Sequence, residues 1–159
     1  MERSQPPARG DQVPARPTPE IPVACDPRVF SMEQRSQHLD LSTDALVRWP
    51  RSRSELPDGY LFQYEGDEER FVTLARWAAA EHRCCPWAAY SVQMSAFAGG
   101  AGAIEVRVTA TPEGKEFLAA AYRYLEEIDG ASPPDSILDG EGKITRKTIL
   151  DRIKAGCGC

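Results

Sequence analysis

The sequence predicts an α+β fold: a small antiparallel sheet of about three strands, one hairpin among them, packed on helices in the order αβαββα, with flexible extensions at both ends. Three observations predict it. Tyr90, Val92, Met94 and Ala96 alternate with polar neighbours, and after AGGAG so do Ile104, Val106, Val108 and Ala110, which is the period-two signature of a hairpin with one apolar face. Phe71, Leu74, Ala75 and Ala78 recur at spacings of three and four, as on a helix that ends where Pro86 disfavours helical geometry at Cys85. Phe117, Leu118, Ala121, Tyr122, Leu125 and Ile128 mark the apolar face of a closing helix.

Residues 1–20 hold several prolines and charges but almost no large apolar side chains, so burial there cannot offset the entropy of ordering; the segment reads as a disordered leader. The domain proper is expected over 21–129. Pro22 and Pro27 keep Ile21–Pro27 extended or turned, placing Cys25 just before the first helix. Ser31 with Gln34 has the form of a capping box, and Met32, Arg35, Leu39, Leu46 and Val47 continue at helical intervals toward Pro50, with the polar stretch 40–44 as a point of interruption. A polar RSRSE run leads to the turn signal Leu56-Pro57-Asp58-Gly59, and Tyr60, Phe62 and Tyr64 alternate along the first strand. Asp67, Glu68 and Glu69 suit the positive end of the next helix dipole. Thr111-Pro112 supplies an N-cap followed by proline at the first position of the closing helix.

Residues 130–159 read as a linker, a short helix carrying Ile144, Ile149, Leu150 and Ile153 that docks on the domain or on a partner, and a terminal Cys157-Gly158-Cys159 arm. The run Asp139–Ile144 looks superficially like a calcium loop. With Gly142 at the turn position, however, the first and last ligand places fall on Ile137 and Thr148, which excludes that reading.

Composition narrows the function classes. A formal net charge of −5 provides no global basic field for nucleic acid or an anionic membrane. No apolar run approaches the roughly 20 residues that span a bilayer, and no apolar h-region opens the chain, so a cytoplasmic protein without a membrane partner is expected. GxSxG, HExxH, phosphate-loop and dinucleotide motifs are missing. Five cysteines, an odd number in that setting, argue for reduced thiols rather than a disulfide framework.

The chemistry-bearing residues are those cysteines. Cys84 and Cys85 sit at a helix terminus, where adjacent side chains need not diverge by the roughly 100° of a regular helix. Joined by Cys25 they would form a trigonal sulfur site suited to Hg(II), As(III), Pb(II) or Cu(I); with His82 as a fourth ligand, Zn(II) is also accommodated. His82 and Arg83 flank the pair and are of a kind that lowers thiol pKa values. Cys157 and Cys159, separated by one glycine, form a mobile chelating arm that can pass a soft ion to a fixed site or to a metal-handling protein. The plain alternative is that free cysteines serve as small buried hydrophobes. His38 reads as a solvated residue, and Trp49, Trp77 and Trp87 as packing groups, Trp87 shielding the thiols.

VACDP, ELPDGYLFQY, AAEHRCCPWAAYSVQM and TATPEGKEFL together resemble a set of small bacterial proteins and domains with the pattern IAC, LPDGY, ERxCCPF and GPEGxKEFL. Members of that set look to be associated with heavy-metal resistance, and some are attached to mercury-type regulators. The resemblance spans residues 22 to about 120. It implies a thiol triad of Cys25, Cys84 and Cys85, with Arg35 and Glu81 in support. His82, Trp87 and TATPEG depart from the pattern; the leader and the CGC arm lie outside it.

The expected function is soft-metal binding, of a mercury-like ion, in sequestration or transfer. Two alternatives accompany it. An organometal-cleaving enzyme would need an acid to protonate carbon, for which Asp26 beside Cys25 is the candidate. A regulatory module would sense metal or use a transient disulfide.

Overall fold

A computed structural model describes residues 20–95, 102–128 and 138–156. Among them it is α+β, with an antiparallel sheet of four strands rather than about three. The strands are β1 (Ser52–Leu56), β2 (Gly59–Gly66), β3 (Ala89–Ser95) and β4 (Gly102–Thr109), in spatial order β1-β2-β4-β3. The helices are α1 (Met32–Thr43), α2 (Glu68–Cys84), α3 (Pro112–Ile128) and α4 (Arg146–Gly156).

The unanticipated strand is β1, which forms from the polar run before the turn. Its side chains are exposed or half-exposed along its whole length, so it carries no apolar alternation to read. What orders it is the antiparallel ladder to β2, from Ser52 opposite Gln63 to Leu56 opposite Gly59, and an Arg51–Glu65 ion pair beside it. A charged edge of this kind discourages further strand addition. Gly59 is required for a different reason. It lies opposite Thr109 of β4, and a Cβ there would collide with the Val108 carbonyl oxygen and the Thr109 Cα.

Register gathers the large side chains on one face. Tyr60, Phe62 and Tyr64 of β2 lie opposite Val108, Val106 and Ile104 of β4, which in turn lie opposite Tyr90, Val92 and Met94 of β3. Phe62, Ile104, Val106 and Val108 are fully buried. Tyr122 of α3 meets both Tyr60 and Phe62 edge-on, at 5.0 and 5.3 Å between ring centroids, and Trp77 of α2 meets Tyr90 at 6.0 Å. The opposite face carries polar pairs such as Gln63 and Glu105, hydrogen-bonded at 3.0 Å.

The capping box forms as expected: Ser31 N–H donates to Gln34 Oε1 at 3.0 Å, and Gln34 N–H to Ser31 Oγ at 3.3 Å. The α-helical geometry of α1 ends at Thr43, inside the stretch 40–44, without a break in the coil. The chain continues into one wider turn over Asp44–Arg48, closed by Trp49 N–H on the Asp44 carbonyl. With Trp49 so engaged and Pro50 lacking an N–H, the Ala45 carbonyl has no helical donor. The buried Tyr64 hydroxyl supplies one at 2.7 Å.

Beyond the undescribed residues 129–137, the chain does not leave the domain. Asp139 Oδ1 accepts the Glu141 and Lys143 amides at 2.9 and 2.8 Å, and Gly142 takes φ +77°, the left-handed region where a side chain is disfavoured. Ile144 then pairs with Cys25, and α4 packs along α3 with Ile149 and Ile153 buried. The amphipathic pattern of this segment therefore docks on its own domain.

Tyr64→Phe removes the hydroxyl and leaves the buried Ala45 carbonyl unsatisfied. A loss of about 1–3 kcal/mol is expected, measured as a lower urea midpoint at unchanged slope.

Candidate thiol site

Cys84 ends α2 and Cys85 follows it outside the helix, at φ −125° and ψ 68°, its amide donating to the Glu81 carbonyl at 2.7 Å. Pro86 enforces that exit. The two adjacent side chains thereby turn to the same region, and both are buried.

Cys25 arrives there from 60 residues earlier in the chain, held by backbone bonds on both sides. Its N–H donates to the Ile144 carbonyl and its carbonyl accepts the Ile144 N–H, each at 2.8 Å; the next amide, of Asp26, donates to the Cys84 carbonyl at 3.0 Å. Trp87 adds a side-chain tie, its indole N–H reaching the Ala24 carbonyl at 2.9 Å while its ring packs on Phe117, 4.9 Å between centroids. The three sulfurs lie within 4.8 Å of one another, near enough together to bind one metal ion.

Cys25 and Cys85 are joined as a disulfide, with Cα atoms 4.7 Å apart, and Cys84 remains a buried free thiol. This corrects the expectation of reduced thiols throughout. An odd cysteine count says nothing about a pair that folding brings into contact. The bridge closes a loop of about 60 residues, worth about 4 kcal/mol on loop-entropy grounds.

His82 and Arg83 do not act on the thiols as expected. The His82 ring turns toward the Ala88 carbonyl, 3.4 Å away, and is not part of the sulfur cluster. Arg83 reaches outward to the Val29 carbonyl at 3.1 Å and lies over the Phe30 ring. Burial, with the Glu81 and Asp26 carboxylates adding to it, pushes the Cys84 thiol up to about 12. Neither flanking side chain offsets this, since both are exposed and turned to other partners.

Arg35 supports the site from below, donating to the Pro27 and Phe30 carbonyls at 3.0 and 3.3 Å and so fixing the turn that follows Cys25. Glu81 is the centre of a partly enclosed polar group. His38 Nε2 lies 2.9 Å from Glu81 Oε1, Ser42 Oγ donates to the same oxygen at 2.8 Å, and Trp77 Nε1 donates to Ser42 Oγ at 3.0 Å. Burial alone would raise the Glu81 carboxyl, but His38, Ser42 and Trp77 outweigh it and hold the group below its ordinary value. His38 is thus not a solvated residue. Its partner stands 43 positions away, and the available signal was the His38–Ser42 spacing of four, which puts both on one helix face.

Asp26 is turned to another task. Its carboxylate caps the turn Pro27–Val29 and takes Arg28 Nε and Nη2, each at 2.8 Å; the Arg28 hydrogen bonds hold its carboxyl below the ordinary range. An ionised carboxylate clamped by a guanidinium has no proton to give near neutral pH. Cys157 and Cys159 lie outside the described residues.

The sulfurs form part of the wall of a cavity of about 130 Å³. Phe30, Trp87, Phe117 and Leu118 also line it, with Ile144 and Ile149 contributed by the C-terminal segment and Arg35, His38 and Glu81 as its charged or polar members. Neither a protein-family model, nor a curated protein, nor a solved structure matches the chain.

Two outcomes follow from this geometry. Without reductant, peptide mapping is expected to recover Cys25 linked to Cys85, and Cys84 is expected to resist alkylation at pH 8 until the protein is denatured. Because the folded Glu81 carboxyl lies below its ordinary value of 4.5, its stabilising effect is present above that pH and fades as pH falls through the folded value. Glu81→Ala should therefore lose about 2–3 kcal/mol at pH 7, somewhat less than a fully enclosed pair. The deficit should shrink as pH is lowered progressively below 4.5, as read from urea midpoints across an acid series.

Proposed function

We propose that this protein binds a soft, thiophilic metal ion, Hg(II) before Cu(I), As(III), Pb(II) or Zn(II), through Cys25, Cys84 and Cys85, and that oxidation of the site opposes loading. The single observation that carries the reading is the convergence of three buried sulfurs within 4.8 Å from two distant stretches of chain. Sulfur ligands in an apolar setting favour soft ions, and the cluster contains neither an oxygen nor an imidazole ligand of the kind that hard cations or structural zinc commonly use. The resemblance of VACDP, LPDGY and EHRCCPW to proteins associated with heavy-metal resistance supports the same reading, in sequestration or transfer.

The redox step is explicit. A dithiol reductant supplies two electrons and two protons to the Cys25–Cys85 disulfide, giving two thiols and an oxidised reductant. A divalent ion then displaces three protons from the three thiols, so that affinity rises with pH. The CGC sequence follows α4 directly, and Cys157 with Cys159 would act as the collecting arm or as the exchange point with a metal-handling protein.

A second reading is favoured by the disulfide itself: a thiol switch in which Cys25–Cys85 is the working oxidised state and no metal takes part. The two separate cleanly. Full-length protein carrying Cys157→Ser and Cys159→Ser, reduced anaerobically and freed of reductant, is expected to bind one Hg(II) per chain by native mass spectrometry. The disulfide form should bind at least a hundredfold more weakly, and adding Cys84→Ser with Cys85→Ser should abolish stoichiometric binding. Equal affinity with and without those two thiols would defeat the metal reading; reversible disulfide formation without any metal binding would establish the switch.

A further inference from the structure

The cavity behind the sulfurs has no role in holding a bare ion. A three-sulfur site for Hg(II) needs the sulfurs and little space, yet here they open on a void of about 130 Å³. That volume is close to the roughly 150 Å³ of an engineered apolar cavity that stays dry and accepts benzene. Its walls beside the thiols are aromatic and aliphatic: Phe30, Trp87, Phe117, Leu118, Ala121 and Leu125. Of its polar lining, Glu81 is paired with His38 and Ser42, and Arg35 with the Pro27 and Phe30 carbonyls.

We propose that the site takes monovalent organometallic cations, a soft metal bearing one phenyl-sized apolar group, with the metal on a cysteine sulfur and the organic group in this cavity. The inference rests on the reading of the triad as a soft-metal site and names its substrate class. The exchange balances without further reactants once the disulfide is reduced: a protein thiol and R–Hg–X give the protein S–Hg–R bond, and the thiol proton leaves with X. Mercury favours two ligands in line, so one sulfur and the carbon satisfy it. The remaining sulfurs stand within 4.8 Å to take over the metal by exchange. A carboxylate on the ring would have to draw Arg35 from the Pro27 and Phe30 carbonyls or His38 from Glu81, or be buried without a partner, and each is unfavourable.

The probes are phenylmercury, 4-mercuribenzoate and Hg(II), each titrated against the reduced full chain carrying Cys157→Ser and Cys159→Ser. Competition with glutathione cancels the intrinsic strength of the mercury–sulfur bond. Phenylmercury is expected to bind at least tenfold more tightly than 4-mercuribenzoate. Ala121→Leu, which fills the cavity, should erase that preference while Hg(II) affinity stays within twofold, the retained Hg(II) binding also reporting that the variant is folded. Equal binding of the two aryl compounds by the unfilled protein overturns the inference and leaves the metal reading standing, and this comparison requires no cavity variant. A preference that survives in folded Ala121→Leu places the ring elsewhere and also overturns it. Failure of Hg(II) and both aryl compounds to bind sinks the underlying metal reading along with it.

Discussion

The structure depends on how the segment around Cys25 is pinned to the end of α2. Two hydrogen bonds do this, the Asp26 amide on the Cys84 carbonyl and the Trp87 indole on the Ala24 carbonyl, while a pair of bonds with Ile144 holds the segment from the C-terminal side. None involves a sulfur. The thiols are therefore brought together by backbone pairing, and the disulfide is a consequence of that placement as well as a reinforcement of it. Such an arrangement tolerates reduction better than one in which the sulfur–sulfur bond alone holds the chain, because the contacts that position Cys25 persist when the bond is open.

The same pinning makes the C-terminal segment part of the site. Ile144 is at once the bridge partner of Cys25 and a wall of the cavity, and Ile149 on α4 extends that wall. The sheet contributes at one remove. Its aromatic face, locked by Tyr122 and Trp77, sets the height at which α2 and α3 run, and the void lies where their side chains leave space beside the sulfurs. The polar group of His38, Ser42, Trp77 and Glu81 ties α1 to α2 and also borders that void, one helical turn before the two adjacent cysteines.

Electrostatics at the site run opposite to those of a reactive cysteine. Cys84 is pushed up by burial and by neighbouring carboxylates, while Arg83, the nearest cation in sequence, pairs with the Val29 carbonyl and Phe30 ring. A thiol of that kind is a poor nucleophile toward general electrophiles at neutral pH. The three sulfurs remain close enough together to bind a metal that bonds sulfur strongly enough to displace the proton.

Legibility differed from element to element for physical reasons. Alternation revealed β2, β3 and β4 because their faces differ in burial, whereas β1 escaped notice because an exposed edge strand has no such contrast and is ordered by its partner. Pro86 announced the end of α2 and hence the placement of Cys84 and Cys85, while the ionised clamp on Asp26 and the pairing of His38 with Glu81 left little local trace. By itself the chain determined the four helices, three of the four strands and the β3–β4 hairpin, and that its cysteines sit at a helix terminus and before the first helix. Only tertiary structure decided that Cys25 bonds to Cys85 and not to its neighbour, that His82 and Arg83 face away, and that a void opens behind the sulfurs. These are outcomes of packing between residues dozens of positions apart, and periodicity carries information only about neighbours a few positions away.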